Sequence, residues 1–287
     1  MTLLDRNAIV TGASAGLGQA IARTFLAQGA KVAICSREQN SLEESRRCLT
    51  DFAGDERRVF AQTCDVSQQH EVLGFIDAAM EYFGRIDILV NNAGVLGPVG
   101  KTEAVDIAGW RQTMEINFFG TVMFCNGVVP HMRLNSYGKI INLSGGGATS
   151  PRPFFSAYAT AKAAVVRFTE NIAEELRGTG IDVNSIAPGA LNTRMLTQSL
   201  EAGAEGIGDK QFSQALQQKA NGGQSFEKAA ALCAYLGSAE SDGITGKLIS
   251  APWDPWPTLH ERTEELRKAD IYTLRRILPE DRGQHWN

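Results

Sequence analysis

Tyr158 and Lys162 stand four residues apart in residues 157–176, where Val165, Phe168, Ile172 and Leu176 recur at helical spacing. That separation puts both side chains on one helix face. A free phenol, with a pKa of about 10, exchanges protons slowly at neutral pH, and a fixed ammonium beside it favours the phenolate. Each unit of lowering corresponds to about 1.4 kcal/mol of differential stabilisation. The pair is a candidate proton-transfer couple, set against the plainer reading of two helix-surface neighbours. A second constellation lies near the N-terminus. Thr11-Gly12-Ala13-Ser14-Ala15-Gly16-Leu17-Gly18 follows an apolar run and opens a helical stretch. Glycines allow a tight turn and close backbone approach, and the helix N-terminus favours a pyrophosphate. The chemistry is nucleotide binding; the alternative is a purely structural strand-to-helix turn.

These residues need a scaffold, and the apolar pattern supplies one. Short runs at residues 7–11, 31–35, 58–63, 86–91, 139–143, 182–187 and 247–250 alternate with amphipathic stretches such as 17–28, 42–52, 71–83 and 157–176. The alternation predicts βαβ units. The expected fold is α/β and Rossmann-like: a doubly wound, mostly parallel seven-stranded sheet with helices on both faces. Residues 194–225 depart from it as a polar, glycine-containing excursion with weak helical patterning, in the position of a lid or substrate loop. Residues 1–251 read as one domain. Residues 252–287 form a C-terminal extension with Trp253, Trp256 and an amphipathic helix over 259–278. Too short to fold alone, it must pack on the domain or on a partner subunit.

Composition excludes several classes. With 43% apolar and 21% charged residues in 287, the chain has enough apolar content for a large core, which argues against disorder. Lys+Arg at 28 against Asp+Glu at 32 leaves a net charge of −4, with no electrostatic reason to expect nucleic acid or an anionic membrane. No run approaches roughly eighteen apolar residues, and the N-terminus lacks a signal-peptide pattern, so neither a membrane span nor secretion is expected. Cys35, Cys48, Cys64, Cys125 and Cys233 form no C-x-x-C, and the histidines are scattered. Reduced thiols in a cytoplasmic protein without a metal site are the expectation.

Further motifs stand in a recognisable order: the T-G-x-x-x-G-x-G turn, Asp65 after the third strand, Asn91-Asn92-Ala93-Gly94 after the fourth, then Asn117, Tyr158-x-x-x-Lys162, and Pro188-Gly189 with Thr193 after the sixth. The set resembles the short-chain dehydrogenase/reductase family in its single-domain form, over about residues 4–251. The resemblance implies an oxidoreductase that interconverts a ketone and a secondary alcohol, with a small-molecule carbonyl or alcohol as substrate. Tyr158 is then the acid/base. Lys162 also holds the nicotinamide ribose, and Asn117 anchors a water that connects the lysine to solvent. Implied cofactor contacts are Gly12, Ser14, Ala15, Gly16, Leu17 and Gly18, then Asn91, Ala93 and Gly94, then Pro188, Gly189, Leu191 and Thr193 near the carboxamide. Asp65 is expected at the adenine amino group with Val66 beside it; the alternative places it in the N-cap region of the next helix, a role Ser67 also fits.

Two positions depart from the common pattern. In this family an acid at the end of the second strand selects NAD(H). Here Ser36 stands in its place, followed by Arg37, and a hydroxyl with a guanidinium suits a 2′-phosphate. NADP(H) is therefore favoured over NAD(H), unless Arg37 is simply a solvated surface residue. Relatives also place a hydroxyl thirteen residues before the tyrosine, which here is Gly145. Ser144 is one residue earlier, and neighbours on a strand point to opposite faces. The run Gly145-Gly146-Gly147 leaves the backbone free to turn Ser144 into the site. Otherwise Ser150 or Ser156 supplies the bond, or none does, at a cost of about 2.7–4 kcal/mol of transition-state stabilisation. Gly145 and the Trp-rich tail motivate a second reading, a dinucleotide-binding regulatory or assembly subunit with weak or no turnover. The resemblance implies a homodimer or homotetramer. Trp253 and Trp256 are interface anchors, a wall of the substrate pocket, or part of a cap on their own subunit.

Overall fold

The computed structural model describes residues 2–286. Its strands are β1 (Asn7–Thr11), β2 (Lys31–Ser36), β3 (Val59–Thr63), β4 (Ile88–Asn91), β5 (Gly138–Leu143), β6 (Ile181–Ala187) and β7 (Leu248–Ser250). They pair in the order β3-β2-β1-β4-β5-β6-β7, every neighbour parallel. Where sequence patterning predicted a mostly parallel sheet, the sheet is wholly parallel. Strand alternation divides the core between two faces. Ala8, Val10, Val32, Ile34, Ile88 and Val90 join the cluster on one side, while Ile9, Ala33, Cys35 and Leu89 join the other. Both faces are covered, which is why these strands read as continuous apolar runs.

The helices are α1 (Gly16–Ala27), α2 (Gln39–Ala53), α3 (Gln69–Phe83), α4 (Ile107–Met114), α5 (Gly120–Leu134), α6 (Ser156–Glu175), α7 (Arg194–Glu201), α8 (Gly203–Ile207), α9 (Asp209–Ala220), α10 (Phe226–Gly237) and α11 (Thr263–Lys268). Ile21 and Phe25 of α1 and Leu232 and Tyr235 of α10 fill one face. Val72, Phe75 and Ile76 of α3 with Phe124 and Val128 of α5 fill the other. A π-helical turn, Glu115–Phe119, joins α4 to α5. The excursion at residues 194–225 is built of α7, α8 and α9, more helical than its weak pattern suggested. Its apolar residues Met195, Ile207 and Phe212 turn toward Leu96, Phe155 and Tyr158 and form a small third cluster. That burial stabilises these short helices against the rest of the domain.

The extension departs from its sequence reading. Residues Trp256–Arg262 form a 3₁₀ helix and α11 ends at Lys268, so no continuous helix spans 259–278. Tertiary bonds claim the backbone beyond that point: Lys247 Nζ donates to the carbonyls of Ala269 (2.8 Å) and Ile271 (3.0 Å). The Leu248 amide of β7 donates to the Tyr272 carbonyl at 2.8 Å. Leu259 and Leu266 are buried in the main core cluster, with Trp256 packed against it, whereas Trp253 is 80% exposed. Among the described residues no helix is long and apolar enough to cross a membrane.

Candidate active site

The strand order reverses between β1 and β4, and the carboxyl ends of β1, β4, β5 and β6 lie side by side there, where sheets of this kind take ligands. After β1 the chain turns at Gly12, with φ +64, where a Cβ would lie 2.8 Å from the Cα of Ala93. At Gly18 a Cβ would meet the Gly12 carbonyl at 2.5 Å. Only glycine fits either position. The N-terminus of α1 has no side-chain cap and no acidic residue in its first turn, and a Cβ on Gly16 would find open space. Free amides at an uncapped N-terminus suit a phosphate. The turn therefore fits the pyrophosphate of a dinucleotide. Ser14 is half-buried beside it, Ala15 and Gly16 are exposed, and Leu17 is buried in the core.

Two residues that sequence reasoning did not count hold this turn. Thr11 Oγ1 accepts from the amides of Asn92 and Ala93, both at 3.0 Å. Asn92 Nδ2 donates to the carbonyls of Thr11 (2.9 Å) and Gly12 (3.1 Å). Asn92 was visible within Asn91-Asn92-Ala93-Gly94; its task depends on the β1–β4 register, which brings Val10 beside Val90. Asn91 itself is buried, its Nδ2 donating to Asn142 Oδ1 at 2.9 Å. Its side chain is thus committed to the core, which confines any cofactor contact to its backbone.

At the adenosine end, Ser36 Oγ donates to the Glu38 carbonyl at 3.4 Å, and Arg37 is exposed with no acidic partner among the described residues. Asp65 Oδ1 accepts from the Ser67 amide (2.9 Å) and hydroxyl (2.7 Å), and Val66 is buried against Gly120. The Asp65 carboxylate therefore builds the turn ahead of α3, whose N-cap is Gln68. At the other end Gly189 has φ +93, and a Cβ there would meet Pro252 at 3.1 Å. Pro188 is half-buried beside it. Leu191 is bridged to Gln224, and Thr193 precedes the first turn of α7.

Tyr158 and Lys162 lie one turn apart on α6, both buried. Lys162 Nζ donates to the Leu143 carbonyl at 2.7 Å and sits 5.8 Å from the Tyr158 ring centroid. Burial pushes its pKa down to about 8. Burial also raises the Tyr158 pKa, opposed by the positive charge of Arg152. This differs from the sequence expectation of a phenol lowered by the lysine: desolvation outweighs the neighbouring positive charge. Asn117, in the π-helical turn, spends its side chain on Val95, accepting from the amide (2.7 Å) and donating to the carbonyl (2.8 Å). Between Lys162 and Asn117 lies Gly94, where a Cβ would stand 3.2 Å from Asn117 Oδ1 and 3.6 Å from Lys162 Nζ.

The hydroxyl question has a geometric answer. The Ser144 amide still pairs with the Ile186 carbonyl at 2.8 Å, so Ser144 continues the strand. Its Oγ donates to the Lys162 carbonyl at 3.2 Å and is committed there. Gly145, not Ser144, faces the phenol, since a Cβ on Gly145 would lie 2.8 Å from Tyr158 Oη. The glycine run does not turn Ser144 into the site. Ser156 Oγ accepts from Trp110 Nε1 at 3.2 Å, and Ser150 is exposed.

Comparison with known proteins agrees with this geometry. A model of the family described as short chain dehydrogenase matches residues 6–204. The 2-(R)-hydroxypropyl-CoM dehydrogenase of Xanthobacter autotrophicus is 38% identical over 200 residues, covering 69% of this chain and 79% of that protein. The crystal structure of levodione reductase superposes with a TM-score of 0.79 at 31% identity, over 86% of this chain and 96% of the other. A variant of actinorhodin polyketide ketoreductase with NADPH gives 0.78 at 29% identity, over 87% and 97%. The chain belongs to the short-chain dehydrogenase family and is an oxidoreductase of the kind that acts on CH–OH and C=O groups.

Proposed function

We propose that the protein interconverts a ketone and a secondary alcohol with NADP(H), using Tyr158 as the acid/base. The observation that carries this reading is that Lys162 and Asn117 meet beside Gly94, which follows β4, while Tyr158, one turn from Lys162 on α6, sets its hydroxyl beside Gly145, which follows β5. Residues Gly12 to Gly18 would hold the pyrophosphate, and Pro188, Gly189, Leu191 and Thr193 the carboxamide end. The nicotinamide supplies hydride chemistry when bound. In reduction, the buried phenol of Tyr158 gives its proton to the forming alkoxide oxygen. Lys162, fixed by the Leu143 carbonyl, presents a cation that favours the resulting phenolate and returns a proton to it. Asn117 holds the Val95 segment that borders this path. Ser144 supports the Lys162 turn from behind, and no serine hydroxyl is assigned to the substrate oxygen.

Support for NADP(H) comes from Ser36 and the unpaired Arg37, whose guanidinium suits a phosphate on the adenosine ribose. Family resemblance supports a homodimer or homotetramer and a cytoplasmic small-molecule substrate. The deciding experiment follows NADPH oxidation over a panel of ketones, with wild type and Tyr158→Phe. General acid catalysis contributes about 10²–10⁴-fold, so the variant loses that much turnover while its cofactor affinity holds. Tight nucleotide binding with no Tyr158-dependent turnover on any carbonyl marks a regulatory or assembly subunit instead.

A further inference from the structure

The loop between β5 and α6 carries a cation that the chemistry above leaves unused. Arg152 is half-buried, its guanidinium 4.0 Å from the Phe155 ring centroid and 5.7 Å from that of Tyr158. Among the described residues it has neither an acidic partner nor a hydrogen-bond acceptor. Desolvation pulls its pKa below the ordinary arginine range. A guanidinium offers five N–H donors in a rigid fork, and withdrawing that charge from water without a counter-charge is costly. Stacking on Phe155 fixes the plane of the fork.

Its surroundings show what the fork faces. A Cβ on Gly145 would lie 2.8 Å from the Tyr158 hydroxyl, and one on Gly146 would lie 4.0 Å from Arg152 Nη1. Two consecutive positions without side chains are thus flanked by the phenol on one hand and the guanidinium on the other. Phe154, next but one to Arg152, holds a left-handed φ of +71, unusual for a bulky residue. Its carbonyl accepts from Gly100 at 2.9 Å, and its ring sits where a Cβ on Gly208 would approach to 2.7 Å. Contacts on both sides enforce this conformation, as strained residues at functional sites require. Leu96, Phe155 and Ile207 pack with Tyr158 into a small apolar cluster.

We propose that Arg152 binds a carboxylate on the substrate, so that the substrates are oxo acids and hydroxy acids whose acid group lies a few carbons from the reacting centre. The proposal deepens the oxidoreductase reading and rests on it. A neutral carbonyl alone would leave the guanidinium charge uncompensated, and the phenol already serves that oxygen. A carboxylate supplies both the counter-charge and two acceptors for the fork.

The test uses the full chain with NADPH and compares kcat/KM for acetoacetate and 4-oxopentanoate with that for their methyl esters. Wild type favours the acids. Arg152→Met lowers the acid-to-ester ratio by about 100-fold, mostly through KM, and Arg152→Lys keeps part of the preference. An acid-to-ester ratio that is the same in Arg152→Met, Arg152→Gln and wild type overturns the proposal. A second measurement needs no turnover: acetoacetate at millimolar concentration raises the Tm of wild type and not that of Arg152→Gln. If carboxylates raise Tm through Arg152 while no carbonyl is reduced, the anion site stands and the redox reading falls. If acids and esters are reduced alike and no Tm shift occurs, the redox reading stands and the anion site falls.

Discussion

Gly145 directs its missing side chain at the hydroxyl of Tyr158, 2.8 Å from where its Cβ would stand. Contacts this short do not occur between a real Cβ and an oxygen, so any side chain at 145 displaces the phenol. Tyr158 is buried against Leu96, Phe155 and Ile207 and has little room to yield. A shift of about 1 Å in a reacting group costs about 100-fold in rate. Gly145→Ala is therefore expected to lower turnover by about tenfold while thermal stability changes little, measured by steady-state kinetics beside a melting curve.

Lys162 makes stability depend on pH in a defined direction. Its pKa is lowered to about 8 in the folded protein from an ordinary value of 10.5. Below about 8 both states bind the proton, and the full cost of burying the ammonium is present. Between the two values the unfolded chain binds more protons than the native one, so this contribution raises stability as pH rises. Comparing wild type with Lys162→Met by denaturant melts from about pH 7 to 10.5 should show the difference moving toward wild type, by about 3 kcal/mol at most. A pH-independent difference contradicts the burial argument.

Arg37 governs the choice of dinucleotide if its guanidinium meets a 2′-phosphate. Hydrogen bonds to charged groups contribute about 1.5–3 kcal/mol, equivalent to roughly 10- to 100-fold. Arg37→Ala should lower the NADPH-over-NADH ratio of kcat/KM by that factor and leave the NADH value nearly constant. An unchanged ratio would assign the preference elsewhere.

Leu259 and Leu266 tie the extension to the core of their own chain. Leu259→Ala is expected to cost about 2–5 kcal/mol, the usual range for a truncated buried leucine. The loss read from denaturant melts should be independent of protein concentration. Concentration dependence would instead place the extension on a neighbouring subunit.

Most of the sheet was legible because its strands carry local signals. The bounds of β1 match the apolar run at residues 7–11, and β4 begins at Ile88, two residues inside its run, next to Asp87, whose side chain takes the Asn7 amide at 2.9 Å. The placement of Tyr158 and Lys162 on one face of a helix was legible from i,i+4 spacing, whereas the role proposed for them came from the motifs around them. Other features rest on contacts between distant segments and leave no local trace. Whether Ser144 or Gly145 faces the phenol is settled by the Ser144–Ile186 pairing across two strands. The end of the last helix is fixed by Lys247, over twenty residues upstream. Arg152 carried no signal either, since its meaning lies in the aromatic rings and glycines it meets only after folding.

The bond from the Leu248 amide to the Tyr272 carbonyl has a consequence for how the molecule keeps to itself. β7 is the outermost strand on its side, and unsatisfied amides along such a margin can template pairing with a foreign chain. Tyr272 and its neighbours occupy that margin, so the sheet ends in a stopper supplied by its own chain. Shortening the protein before this segment would give the sheet a direction in which to grow.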